Sequence, residues 1–390
     1  MTDLRRKVIA EVDRLFPELV GLSRAIHGHP ELGFEEKESH SLLTRFLDSQ
    51  GFHLEEEPAS LKTAFKAHRG APASPSVAFL SEYDALPGIG HACGHNLIAA
   101  AGAGAGAALA SVLPRGQGRI LVIGTPAEEM YGGKIRMIEH GVFDGIDAAM
   151  MFHPSVRNAV VKRTLSMTEL KITFYGKSAH AAAAPELGIN ALDAMILMFS
   201  GVNALRQQTP EDVRIHGIIT HGGDAVNVIP SRTEARIAVR ALETGTMKHI
   251  IERVKGCMEG ASRAAGCTFA VETAGPVYEG LMPNYTLAGI FQQAVESLGI
   301  VIDDTDETKY IGSSDIGNLS RILPAIHPEL SICGMDRMPH TPRFAEAART
   351  EDAERVMGTA AKALALTGLE VLMNPDVRKK MHEEFKKHQP

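Results

Sequence analysis

The stretch Val77-Ala-Phe-Leu-Ser-Glu-Tyr-Asp84 is a short apolar run that ends in two carboxylates, and the first half of the chain repeats this pattern. Ile120-Leu-Val-Ile-Gly-Thr-Pro-Ala-Glu128-Glu129 ends in two more, and Ala148-Ala-Met-Met-Phe-His153-Pro154 ends in an imidazole. Such runs, short and bounded by turn residues, read as buried strands. Between the first two lies Asn96 to Leu113, so rich in Ala and Gly that it forms a helix only by packing closely on a neighbour. Strands alternating with helices predict an α/β fold built on a mainly parallel sheet with helices on both faces. Ligands of such sheets bind beyond the carboxyl ends of the strands. Asp84, Glu128, Glu129 and His153 are therefore expected to share one crevice.

Outward from these runs, the segment from Asp3 to about Gly51 has helical spacing broken at His29-Pro30, where proline disfavours helix in the residue before it. From about Thr168 the pattern changes. Glu169–Tyr175 alternates like a strand, Ile189–Gln207 is helical, Val213–Thr220 and Val226–Val239 are strands, Met247–Ala265 is helical and Thr268–Thr273 is a strand. This order is the split βαβ, or ferredoxin-like, arrangement. It predicts a second domain, 167–281, inserted into a discontinuous first domain, 1–166 and 282–390. After Met282 a helix at Tyr285–Leu298, a strand around Leu330–Gly334 and one long helix from Arg349 onward are expected.

The 390 residues, 44% hydrophobic and 22% charged, suffice for two cored domains. The net charge of -7 is modest and no basic stripe stands out, which argues against a nucleic-acid partner. The amino-terminal segment is amphipathic and no unbroken run of eighteen apolar residues occurs, so neither a leader nor a membrane span is expected, and the protein is expected to be cytoplasmic. Four dispersed cysteines do not make a disulfide framework.

Gly90-His91-Ala-Cys93-Gly94-His95-Asn96 sets a thiol and an imidazole two positions apart across a glycine, able to face one centre. A thiolate and an imidazole suit zinc or a similar ion, and carboxylates suit zinc or manganese. Met338-Pro339-His340-Thr341-Pro342 adds an imidazole in a stiff loop. Cys93, His95, Glu129, His153 and His340 make five donors, more than one tetrahedral ion needs with a water position open, so two divalent ions are expected. Glu128 is then the carboxylate left to take a proton from water. Blander readings exist for each residue. A lone cysteine is commonly a small buried hydrophobe, paired glutamates complement a helix N-terminus, His27, His29 and Glu31 can simply pack the first turn, and Arg240 can pair with Glu243. The Gly102-Ala-Gly-Ala-Gly106 run lies inside a helix and lacks the strand-to-helix turn of a dinucleotide loop.

Ser81-Glu-Tyr-Asp84-Ala-Leu-Pro87, His91-Ala-Cys-Gly-His95-Asn, Thr125-Pro-Ala-Glu-Glu129, Met151-Phe-His153-Pro, Gly176-Lys-Ser-Ala-His180, Asn227-Val-Ile-Pro230 and Pro339-His340-Thr-Pro, in this order, resemble the dinuclear metallohydrolase family of aminoacylases, hippurate hydrolases and glutamate carboxypeptidases. With Gly312-Ser-Ser-Asp315 they are most similar to the branch of aminobenzoyl-glutamate hydrolase and β-alanyl-lysine dipeptidase. Asn96 departs from the aspartate usual in hippurate hydrolases, and Glu82 stands where many carboxypeptidase relatives have histidine. The resemblance implies a metallopeptidase-type catalytic domain with Cys93, His95, Glu129, His153 and His340 as metal ligands, Glu128 as base and proton donor, and Asp84 orienting a ligand. It also implies that the inserted domain is a lid and dimerisation domain. There His180 would stabilise the oxyanion, in many relatives that of the partner subunit, while Asn227 and Arg240 would hold the substrate's carbonyl and carboxylate.

The expected activity is hydrolysis of the amide bond of an N-acyl amino acid or dipeptide-like substrate by a water held between the ions, in a homodimer paired through the lid. Two alternatives keep the same metal site: hydrolytic deamination of an amino-aromatic compound, and a catalytically silent, metal-stabilised binding protein.

Overall fold

The computed structural model describes residues 1–72, 74–309 and 311–387. The chain divides into two compact units, residues 1–163 with 281 onward, and Thr164–Gly280. The seams fall at 163/164 and 280/281, against 166/167 and 281/282 in the sequence reading.

The first unit is an α/β domain around a six-stranded sheet in the order His53–Glu56, Phe65–Arg69, Arg119–Gly124, Ser76–Ser81, Ala148–Met150, Ala325–Ile326. The last four strands run parallel to one another and the first two are antiparallel, so the sheet is mainly parallel. Every residue of Ser76–Ser81 is buried, which is why this strand reads as a continuous apolar run. The two antiparallel strands escaped the sequence reading, since His53–Glu56 is polar and largely exposed. The run from Ala148 to Phe152 splits: Ala148–Met150 stays in the main sheet, and His153–Ser155 pairs in parallel with Glu329–Ser331 in a small second sheet. That pairing brings the imidazole of His153 beside the carboxyl-terminal part of the chain.

The helix His95–Val112 is buried from His95 through Ala110. A Cβ on Gly102 would come within 2.5 Å of the Leu80 carbonyl oxygen, so the Ala and Gly content is what lets the helix sit directly on the sheet. The expected single helix after Arg349 is two, Glu351–Met373 and Pro375–Lys387. Pro375 has no N–H to give and excludes helical backbone at Asn374, whose φ and ψ are -115° and 102°. His95–Val112 and Glu351–Met373 are long and apolar enough to cross a membrane by length and composition, yet 89% and 72% of their apolar windows are buried inside the fold.

The second unit is ferredoxin-like. Its antiparallel sheet runs Thr268–Thr273, Ser166–Tyr175, Arg232–Ala241, Arg214–His221, with helices Ala191–Leu205 and Thr244–Ala265 packed on it. Leu170, Ile172, Phe174, Met195, Met198, Val254 and Met258 form a core of its own. The third strand begins at Arg232, not at Val226 as the sequence suggested: 226–231 is a turn and loop containing Pro230, which cannot donate to a ladder.

Candidate active site

Three strand ends and two loops of the first unit deliver their polar side chains to one place. Cys93 Sγ lies 3.3 Å from His153 Nε2, and the rings of His95 and His153 stand edge to face with centroids 6.2 Å apart. His340 Nε2 is 3.5 Å from Glu129 Oε2, and His95 Nε2 is 3.9 Å from Glu129 Oε1. Donor atoms of Cys93, His95 and His153 all lie within 4.8 Å of one another, as do those of Cys93, Glu129 and His340, and those of His95, Glu128 and Glu129. Cys93, His95 and Glu129 each belong to two of these triads, so the three triads form one continuous cluster of donors.

The backbone is bent to make this possible. Gly94 is left-handed (φ 77°), and a Cβ there would meet Pro154 Cγ at 2.5 Å, so only glycine lets Cys93 and His95 flank the His153-Pro154 strand. Ala127 (φ 61°) and His340 (φ 64°) are also left-handed, a strain that persists where the surroundings fix it. Ala127 donates its N–H to Glu36 Oε1 at 2.9 Å, and His340 donates its own to the Ala92 carbonyl at 2.8 Å. The turn at Ala127 is what aims Glu128 and Glu129 inward.

Asp84 ties two of the donors together: Oδ1 takes the Nδ1 proton of His95 and Oδ2 takes the N–H of Glu129, each at 2.9 Å. Asn96 donates Nδ2–H to Ser23 Oγ at 2.9 Å and to the Ala348 carbonyl at 3.0 Å, work that an aspartate at this position could not do. Of the blander readings, Glu31 is structural: it caps the helix Lys37–Ser49 through the N–H groups of Glu38 and Ser39. His27 Nε2 bonds the Ala345 carbonyl.

The electrostatics favour cations. Burial pushes the Glu128 carboxyl well above the usual carboxylate range and the neighbouring Glu82 and Glu129 add to it; Glu129 is raised by burial as well. Burial holds the Cys93 thiol well above its ordinary value and lowers His153. Two buried atoms, His95 Nε2 and Glu129 Oε1, have no hydrogen-bond partner among the described residues. Sulfur, nitrogen and carboxylate donors with unsatisfied atoms facing a common point are what a divalent transition ion needs.

The sequence reading missed a second layer. Lys134 is fully buried and pairs with Glu82 and with Asp315 Oδ1, the latter at 2.7 Å. Glu82 and Asp315 stand in motifs quoted for the resemblance, but no local signal joins them to Lys134. His327 is buried with its ring edge to face against His153, centroids 5.2 Å apart.

His180, Asn227 and Arg240 lie in the second unit. Ala181 N–H bonds the Asn227 carbonyl and Ile229 N–H the Ala179 carbonyl, at 3.0 and 2.9 Å, so the segments carrying His180 and Asn227 run side by side. Arg240 is at the far end of its strand, opposite Met167, whereas Arg232 at the near end opposes Tyr175. Eight residues of strand separate the two ends by about 26 Å. The unit therefore groups His180 with Asn227 but not with Arg240.

Residues 165–265 match the M20 peptidase dimerisation domain. The chain is 39% identical to the Xaa-Arg dipeptidase of Mus musculus, over 98% of this chain and 92% of that protein. It is 36% identical to one of the subunits of the p-aminobenzoyl-glutamate hydrolase of Escherichia coli (strain K12), over 70% of this chain and 61% of that one. Among solved structures, a Bacillus subtilis protein described as a dinuclear metal binding peptidase from the M20 family has a TM-score of 0.72 at 22% identity, covering 92% of this chain and 99% of that one.

Proposed function

This chain belongs to the M20 family and is a metal-dependent peptidase or amidohydrolase, and from that premise we propose that it cleaves the amide bond of a dipeptide or an N-acyl amino acid, with Glu128 as the proton-transferring group. The observation that carries this reading is the meeting of Cys93, His95, Glu129, His153 and His340 in overlapping triads, with Glu128 beside His95 and Glu129. The dipeptide class is favoured by the 39% identity to an Xaa-Arg dipeptidase.

Cys93, His95, Glu129, His153 and His340 would hold two divalent ions, zinc or manganese. When bound, such ions polarise a carbonyl and bring the pKa of water towards neutrality. Glu128 would accept the proton of the attacking water and return it to the leaving amine nitrogen. Asp84 keeps His95 in the tautomer whose Nε2 faces the centre. The second unit would supply His180 and Asn227 to the carbonyl oxygen and Arg240 to a substrate carboxylate. Because Arg240 is remote from the other two, a homodimer paired through this unit, with each substrate served by both subunits, suits the arrangement. The match to a dimerisation domain supports that assembly.

The test is Glu128→Gln, assayed on a panel of dipeptides and N-acyl amino acids alongside elemental analysis. The variant is expected to keep its metal and lose at least about 10²-fold in kcat. Unchanged turnover would remove Glu128 from the reaction.

A further inference from the structure

Beside the five donors lies a second buried constellation that shares only Glu128 with the proposed reaction. Carboxylate oxygens of Glu82, Glu128 and Asp315 lie within 4.8 Å of one another, close enough to share one ion. An ammonium already stands among them. Lys134 Nζ is 2.7 Å from Asp315 Oδ1 and pairs with Glu82 Oε1, and the Lys134 backbone N–H donates to Asp315 Oδ2 at 2.9 Å. Asp315 is thus gripped by both main chain and side chain of one residue. Glu82 turns its other oxygen towards His95 Nε2, 3.5 Å away.

We propose that Lys134 is an internal cation that fills the Glu82, Glu128 and Asp315 pocket, excludes a third metal ion from it, and so keeps Glu128 out of metal coordination; the proposal rests on the two-ion reading above. A lysine with no exposed surface survives only where it is paired, because desolvating an ammonium costs several kcal/mol. Here burial alone would lower its pKa, and Asp315, Glu82 and Glu128 more than reverse that. The ammonium is a compact point charge with three donors. It neutralises carboxylates without binding them as a metal would, and so leaves an oxygen of Glu128 able to accept a proton. Lys134 is a positioning residue, acting through Glu82, Asp315 and Glu128.

The test is ion stoichiometry at saturating Mn²⁺, by equilibrium dialysis and elemental analysis, with kcat and KM measured on the same samples. Wild-type protein should saturate at about two ions per subunit and Lys134→Met at about three, three carboxylates being a sufficient oxygen site. Lys134→Met should lose about 10²-fold in kcat with KM within about threefold. Adding Asp315→Asn should dismantle the extra site, return the count to about two and recover at least about tenfold of the lost kcat. A folded Lys134→Met that holds about two ions overturns the proposal whatever its kcat. Should that variant not fold, wild-type titration into millimolar Mn²⁺ decides: saturation at about two ions supports exclusion, and a third ion overturns it. Wild type that holds no stoichiometric metal sinks the two-ion reading itself, a different result.

Discussion

Asp84 holds His95 twice through one ring nitrogen: Nδ1 lies 2.9 Å from the Asp84 carboxylate oxygen and 2.9 Å from its backbone carbonyl. Both are acceptors, so Nδ1 carries a proton and Nε2 is the ring nitrogen turned to the centre, the one an ion would take. In Asp84→Asn the amide nitrogen would face the Glu129 N–H that Oδ2 now accepts, setting donor against donor. The variant is expected to bind metal about 10- to 100-fold more weakly, measured by competition with a chromophoric chelator. Affinity equal to wild type would show that Asp84 does not orient the donor.

Asn96 separates this chain from relatives with aspartate after the Cys-Gly-His triplet. Asn96→Asp removes the donors to Ser23 and Ala348 and buries a carboxylate against a carbonyl oxygen. A loss of about 1–3 kcal/mol in urea unfolding is expected from the broken hydrogen bonds, more if the acid stays ionised. No loss would mean that the helix His95–Val112 is anchored by packing alone.

Glu36 offers a pH test. Burial raises its carboxyl to about 7, and the charge of Asp84 adds to the effect. Between the unfolded value of about 4.5 and the folded value, the native state holds a proton that the unfolded chain has released, so stability falls as pH rises through that window and levels off above it. Glu36→Gln keeps an acceptor for the Ala127 N–H and removes the penalty. It should stabilise by about 1–3 kcal/mol at pH 8 and by under about 1 kcal/mol at pH 5, read as denaturation midpoints. A gain equal at both pH values would refute the ionisation argument.

Gly94→Ala should leave the fold intact while loosening the metal site. The new methyl meets the Pro154 ring and forces a left-handed alanine, together worth at least about 1–2 kcal/mol. Most of that should appear as metal binding weaker by about tenfold or more, because His153 and Cys93 are the groups displaced. Wild-type affinity would show that the Cys93–His153 spacing is tolerant.

Each candidate metal donor stands out in the sequence because it follows an apolar strand or sits in a short motif: Glu129 after Ile120–Ile123, His153 after Ala148, Cys93 and His95 across Gly94, His340 between two prolines. The split of the Ala148 run does not, since nothing local says that His153 leaves one sheet for another to pair with Glu329. Lys134 was invisible for a related reason. A lysine after Gly132-Gly133 reads as a solvated side chain, and only the approach of Glu82 and Asp315, distant in sequence, makes it a buried cation. The break at Asn374-Pro375 was legible in principle from proline chemistry. The polar edge strand His53–Glu56 belongs to the sheet through backbone pairing, which leaves no trace in hydropathy.

The first unit is interrupted by the second, and this orders events during synthesis. The ferredoxin-like unit is continuous in the chain and can close while the ribosome is still translating, as domains generally do. The larger unit must wait: Ala325–Ile326, which covers the flank of Ala148–Met150, and His340 both emerge late. A nascent polypeptide arrested before residue 340 carries a finished small body beside a half-built one. Its carboxylates and thiol then await their last imidazole, a window in which chaperone protection matters more than for the completed enzyme.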